Sequence, residues 1–242
     1  HLPLILGGDR TKLSKRHGDN SVTQFAMQGY LPEALVNFLV LLGWNPGDNR
    51  ELFTLEELVK EFSLEKVHKG GAVFNPKRLD WINGAYIRKK SLSELAELCE
   101  PYLKLAGFDV ALPFLEKVVA LYQERLKKLS EITEFADFFF KDKLEYSKEI
   151  LRWKKYTEED AKNALEKCKT IAESVKGNEW TKETLEQVFL AKATAGDRGY
   201  LLWPLRVALS GKEASAGPFE IASVLGKEKT VERIQAALQL LS

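Results

Sequence analysis

The stretch "RGYLLWPLRVALSGKEASAGPFEIASVLGKEKTVERIQAALQLLS" (residues 198–242) closes the chain with three apolar-rich runs, 198–211, 217–226 and 230–242, the first two ending in glycine. The runs read as successive helices, with glycine as the stop signal. The same grammar extends upstream. Thr181 opens a helix ending near Gly196, and Thr157, followed by "EED", opens one running toward Gly177. Acidic residues suit that helix start because the macrodipole is positive there. Ser91 with Glu94 and Thr54 with Glu57 stand at capping-box spacing. Asn75 reads as an N-cap with Pro76 at the first helical position, and Gly84 is expected to break or redirect that helix. Leu115, Val118, Val119 and Tyr122 share one helical stripe, as do Ala34, Leu35, Phe38, Leu39 and Leu42, which follow Pro32 and precede Gly43. Sustained period-2 alternation is absent after residue 30. The expected fold class is mainly α.

Composition sets the frame. Of 242 residues, 45% are apolar and 29% charged, ordinary for a globular chain with a sizeable core. The net charge is only +1, so anion binding would have to come from local clustering of basic residues. Cys99 and Cys168 are far apart, with no CxxC and no nearby histidine, which argues against a zinc site or a disulfide framework. They read as reduced, partly buried thiols, although a disulfide between them stays open at this level. No apolar run approaches the length needed to cross a bilayer, and "HLPLIL" lacks the pattern of a secretory signal. The expected compartment is the cytoplasm, with no membrane partner. Met27 is the sole methionine and is internal, so the chain is expected to be a fragment of a longer protein.

Near the start, "GGDRTKLSKRHGD" (residues 7–19) gathers Arg10, Lys12, Lys15 and Arg16 among glycines and small polar residues, after the apolar run "LPLIL". A Walker A loop needs Gly, four residues, then Gly-Lys-Ser/Thr; the spacing here fails, and no GxGxxG is present. The remaining physics suits a polyphosphate, because ammonium groups can neutralise charge that builds on a departing pyrophosphate. Read alone, a solvated basic loop or a nuclear-import-like patch is the better account of these residues, as short basic runs usually are that. The tryptophans 44, 81, 153, 180 and 203 resemble stacking platforms, but most are expected to anchor cores, since each lies beside apolar residues. His17 and His68 have no partner arrangement for general-base work, and the carboxylate pairs look like helix-end charges.

"KLSKR" followed by "HGD" resembles the KMSKS signature of class I aminoacyl-tRNA synthetases, in the form found in glutamyl-tRNA synthetases. "FNPKRLDWINGAYIRK" (residues 74–89) resembles the segment that follows in that family, and "PLRVALSGKEASAGPFEIASVLGKEKTVERI" (residues 204–234) resembles its anticodon-binding region. The three blocks stand in the family's order, so the resemblance spans essentially the whole chain. It implies three modules: residues 1–88, the end of a catalytic domain with the KMSKS-like loop and a stem-contact region; then two helical subdomains of an anticodon-binding cage, 89–145 and 146–242. A glutaminyl enzyme fits less well, because its anticodon region is built from β-barrels; a class I lysyl enzyme shares the helical cage but differs around "KLSKRHGD".

The resemblance also places candidate site residues. Lys15, the second lysine of the signature, would contact ATP phosphate directly, while Lys12 and Ser14 shape and charge the loop and Arg16 stands where the signature ends in serine. Without nucleotide and catalytic domain, that loop is expected to lack order. Arg206 matches a position where the family sets arginine against anticodon bases; a planar guanidinium can both stack and donate paired hydrogen bonds. Ser215 and Ala216 align with a turn that also meets the anticodon, but the common Thr-Pro is absent, which points to backbone contact there. Arg125 aligns with a position linked to the third anticodon base, and arginine there accompanies discrimination against glutamine tRNA. For Arg125 and Arg206 the plain alternative is a solvated or salt-bridged helix residue.

The implied function is the C-terminal, tRNA-binding part of a glutamate–tRNA ligase, which makes glutamyl-tRNA from glutamate, ATP and tRNA(Glu) through a glutamyl-adenylate. The alternative is a free-standing helical RNA-binding or protein-docking module without catalysis. The family's His-Ile-Gly-His-like motif and parallel sheet are absent from these residues, so this chain alone is expected to be inactive. ATP and Mg2+ are expected to serve the full-length enzyme and to bind this chain weakly; glutamate would enter through the N-terminal half. Expected partners are tRNA(Glu), with tRNA(Gln) as a second candidate, and the expected state is a monomer.

Overall fold

A computed structural model describes residues 4–14, 21–193 and 198–242. Among them are twelve α-helices and a single two-stranded sheet, so the chain is mainly α. It divides into two compact units, His1–Glu134 and Phe135–Ser242.

The first unit contains β1 (Ile5–Leu6), α1 (Val22–Gln28), α2 (Pro32–Gly43), α3 (Leu55–Glu61), β2 (Ala72–Val73), α4 (Pro76–Lys89), α5 (Leu92–Leu105) and α6 (Leu112–Tyr122). Local sequence accounts for most of the helix starts. The Thr54–Glu57 and Ser91–Glu94 capping boxes both form, and the Asn75 side chain accepts from the Lys77 and Arg78 amides at the start of α4. Strands β1 and β2 pair in parallel, Ile5 with Ala72 and Leu6 with Val73. Phe25, Phe38 and Phe74 pack ring to ring, with Tyr30 set edge-on to Phe25. Trp44, Phe53 and Leu58 form a second apolar cluster. In α5 and α6, the stripe Leu115, Val118, Val119 and Tyr122 is buried against Leu95, Cys99 and Leu103.

Buried polar side chains hold the connections. Asn37 accepts from the Phe53 amide at 2.7 Å and donates to the Glu51 carbonyl at 2.8 Å. Gln123 donates to the carbonyls of Ile87 and Lys90, joining the end of α6 to the end of α4. Gly84 neither breaks nor redirects its helix: α4 runs unbroken from Pro76 to Lys89. The glycine is there for close approach, since a Cβ at that position would lie 3.2 Å from the Leu126 carbonyl oxygen.

The second unit follows α7 (Glu131–Ala136), which spans the divide, with α8 (Glu158–Ser174), α9 (Lys182–Lys192), α10 (Arg198–Ser210), α11 (Pro218–Leu225) and α12 (Lys227–Leu240). Thr157 forms a capping box with Asp160 and Thr181 caps α9. Helices α8, α10 and α12 pack on one another, and α11 packs on α9. Arg233 of α12 is 4% exposed and donates to the carbonyls of Leu209, Phe138 and Lys141 at 2.5, 2.6 and 3.1 Å. Burial pushes its pKa down to about 10, which leaves it a cation at neutral pH. Lys227 caps the C-terminal end of α8 through the Glu173 and Val175 carbonyls.

Cys99 and Cys168 are both buried and unpaired, which closes the question of a disulfide between them. Burial raises both thiols well above the ordinary range, Cys99 to about 12. No helix among the described residues is long and apolar enough to cross a membrane.

Gly29 ends α1 with φ +90°, and a Cβ there would stand 2.6 Å from the amide nitrogens of Leu129 and Ser130. Gly29→Ala therefore combines a left-handed backbone with a clash against main chain. Its expected effect is a loss of about 1–3 kcal/mol or more in chemical denaturation, and wild-type stability would refute the close approach.

Candidate nucleic-acid interface

Helix α4 turns Leu79, Ile82 and Ala85 into the core, which leaves Trp81 on the outer face, 47% exposed. The other tryptophans are more enclosed. Trp44 is buried, Trp180 and Trp203 are partly buried with indole N–H groups donating to the Ala222 and Ile150 carbonyls, and Trp153 packs on Trp203. Trp81 is thus the one tryptophan whose exposed ring does not follow the expected core role.

A hollow of about 210 Å³ opens beside Trp81, and Lys77, Arg88, Arg125 and Lys127 line it. Asp80 and Glu124 are the acidic residues of its wall. Asp80 already accepts from the Tyr30 hydroxyl at 2.5 Å. Burial, followed by Asp80 itself, pushes the Tyr30 phenol far above its ordinary range, so this donor stays protonated. An exposed indole ringed by cations suits a nucleic acid: bases stack on the ring while ammonium and guanidinium groups meet phosphates.

Arg125 lies in the turn after α6, exposed, with its amide donating to the Tyr122 carbonyl at 2.8 Å. Of the site residues that the resemblance implies, it alone joins this hollow. Lys77, Arg88 and Lys127 escape sequence reasoning, and Trp81 is named there only among tryptophans of which most are expected in cores. The available signal was the position of Trp81 off the Leu79–Ile82 stripe.

Arg206 sits on α10, half-buried, and its Nε is buried without a hydrogen-bond partner among the described residues. Ser215 and Ala216 lie in the turn between α10 and α11. Ser215 is partly exposed and donates to the Ala216 carbonyl at 3.0 Å, whereas Ala216 is fully buried, so only backbone can act from that position. The turn is tied down at both ends. Ser210 accepts from the Lys212 amide at 3.1 Å, Lys212 pairs with Asp137 at 2.5 Å, and Glu220 accepts from the Gly217 amide at 2.9 Å.

At the other end of the sequence, Lys12 is exposed and bridges antiparallel to Leu6, beside a tight turn in which Gly7 and Thr11 share a backbone hydrogen bond of 2.8 Å. Ser14 is exposed as well. Lys15 and Arg16, and the order expected of the loop around them, fall outside the described residues.

A family model described as an anticodon binding domain matches residues 94–238. The chain belongs to the anticodon-binding domain family. A second model, the catalytic domain of class I tRNA synthetases (E and Q), matches residues 1–81. Relatives named glutamate–tRNA ligase align end to end with this member of the family. The one from Desulforamulus reducens is 40% identical over 99% of this chain and 51% of its own length, and the one from Clostridium botulinum is 40% identical over 100% and 50%. Among solved structures, a glutamate tRNA ligase from Elizabethkingia meningosepticum superposes with TM-score 0.85 at 27% identity, covering all of this chain and 51% of that one. A glutamate–tRNA synthetase from Elizabethkingia anophelis gives 0.80 at 28%, covering 99% and 50%. This anticodon-binding domain protein spans about half the length of the curated relatives it matches.

Asp137 offers a check on the α10–α11 turn. Burial alone would raise its pKa, but hydrogen bonds from Lys141 and Lys212 outweigh that and hold the carboxyl below its ordinary value. A depressed carboxyl stabilises the fold above its unfolded pKa of about 4. That contribution disappears as pH falls through the folded pKa. Asp137→Asn should therefore be less stable than wild type at pH 7, with the gap closing below about pH 4 in urea titrations; a gap independent of pH would refute the ion pairing.

Proposed function

We propose that this chain is the tRNA-binding half of a glutamate–tRNA ligase, an enzyme that would make glutamyl-tRNA from glutamate, ATP and tRNA(Glu) through a glutamyl-adenylate. One observation carries the reading: relatives of that name match this chain from end to end, over about half of their own length. The exposed Trp81 among four cations, in a chain of net charge +1, is the local clustering that an RNA surface demands.

Within this reading the modules follow the sequence boundaries near residues 88 and 145, with the nucleotide-facing loop first and two helical anticodon subdomains after it. Lys15 would contact the ATP phosphates and neutralise charge growing on the departing pyrophosphate, where ATP supplies the adenylyl group, while Lys12 and Ser14 would shape and charge the loop and Arg16 stands in for the signature's last serine. Lys12 fits that task as an exposed cation at the end of β1. Mg2+ would accompany the nucleotide phosphates. Among the described residues no group of three or more His, Cys, Asp or Glu is arranged to hold a metal.

Arg206, with an unpartnered buried Nε, and the backbone of Ser215 and Ala216 would meet anticodon bases. Arg125 would read the third base and favour tRNA(Glu) over tRNA(Gln). The protein is read as a cytoplasmic monomer. A free-standing binding module is not favoured, because the end-to-end relatives are ligases by name.

Binding of transcribed tRNA(Glu) tests the reading. Affinity should fall steeply between 50 and 200 mM salt through counterion release, about a thousandfold for six phosphate contacts. Trp81→Ala should cost about 1–3 kcal/mol if a base or ribose stacks there. Arg206→Ala should weaken cognate tRNA more than an anticodon-swapped one; equal losses would make it a phosphate contact or a structural residue. Glutamylation by the 242-residue chain alone would overturn the division of labour.

A further inference from the structure

Helix α4 carries two adjacent residues that its own stability does not favour. Glycine costs about 1 kcal/mol relative to alanine inside a helix, and a buried asparagine needs every polar atom satisfied. Asn83 is fully buried, and its amide is fully used. Oδ1 accepts from the Leu31 amide at 2.8 Å, while Nδ2 donates to the Gly29 carbonyl at 3.2 Å and the Lys127 carbonyl at 2.6 Å. Gly84, next in the chain, lets the Leu126 carbonyl oxygen come within 3.2 Å of where a Cβ would stand. Arg88 Nη1 lies at the same distance from that point.

The backbone immediately after Arg125 is therefore seated on α4 by two consecutive residues. Two further contacts hold the same segment. The Glu131 carboxylate accepts from the Lys127 and Lys128 amides at 2.7 and 3.1 Å, and the Leu129 amide donates to the Gly29 carbonyl at 3.0 Å. Such a seat leaves the exposed Arg125 little freedom in where its Cα stands relative to Trp81 and Arg88. A specificity residue on an exposed turn needs that restraint, since preorganisation lowers the cost of ordering a side chain on binding.

We propose that Asn83 and Gly84 are positioning residues for Arg125, and that they set which third anticodon base the chain accepts. The proposal rests on the reading of Arg125 given above. It assigns a role in base discrimination to a fully buried asparagine and to a glycine in the wall of the hollow, neither of which carries a charge or a ring.

The test compares Kd for a tRNA(Glu) transcript with that for the same transcript substituted at the third anticodon base, at fixed salt and at a temperature where circular dichroism shows each protein folded. Five variants of the 242-residue chain are measured: Arg125→Ala, Gly84→Ala, Asn83→Ala, the Gly84→Ala/Arg125→Ala double variant, and Leu103→Ala as a control that opens the α5–α6 core. Arg125→Ala should cut the discrimination ratio about tenfold, the low end of what one base-reading arginine supplies. Gly84→Ala and Asn83→Ala should each reproduce most of that loss, and Gly84→Ala combined with Arg125→Ala should be no worse than Arg125→Ala alone. Leu103→Ala should lower stability and leave the ratio unchanged.

Folded Gly84→Ala and Asn83→Ala proteins with wild-type discrimination, beside an Arg125→Ala protein that has lost it, would overturn the positioning role. An unchanged ratio in Arg125→Ala would overturn the reading of Arg125 and this proposal together. An equal loss in Leu103→Ala would reduce the seat to general stability.

Discussion

One buried carboxamide holds together the backbone beneath the first unit's candidate site. Asn83 joins three backbone positions, Gly29, Leu31 and Lys127, that are remote from it in sequence. A leucine would fit the burial of this position but would leave the Leu31 amide without its partner, at a cost of about 1–3 kcal/mol, and would take a donor from the Gly29 and Lys127 carbonyls. The position must therefore be polar despite being core. Its polarity decides where α1 ends, how α2 begins and where the turn bearing Arg125 lies. Gly29 and Gly84 are the steric counterparts, each giving up a side chain so that the same backbone can come close.

The second unit solves a similar problem with a charge. The Arg233 guanidinium is buried against three carbonyls and so gathers the end of α10 and the 138–141 turn. Asp137 works between Lys141 and Lys212, fixing the start of the turn that bears Ser215 and Ala216. In both units the turns that bear the candidate site residues are held by polar groups reaching across long sequence separations. Apolar packing supplies the bulk of each unit, and these few directional bonds decide the position of individual turns.

Charge also explains how a chain with 36 basic and 35 acidic residues can offer a cationic surface. Many of the acids are already engaged. Glu57, Glu94 and Asp160 close capping boxes, Glu131 caps two amides, Asp80 accepts from Tyr30, and Glu61 with Asp48 holds Arg50. Lys77, Arg88 and Lys127 gather around Trp81, where the local balance is positive although the overall balance is not.

By itself the sequence determined the helices, because their information is local: caps three residues apart, prolines at first turns and apolar stripes at helical spacing. Thr54, Asn75, Ser91, Thr157 and Thr181 all open helices as their spacing dictates. The motif order carried the family for the same reason, since a motif is contiguous. Gly84 was misread because a glycine that ends a helix and one that admits a neighbouring carbonyl are identical in one dimension. Only the tertiary structure decided that Trp81 faces outward and that the turn bearing Arg125 comes to it. Exposure and proximity depend on which distant segments cover a helix face, and in this chain that is settled by bonds from Asn83 to residues more than forty positions away.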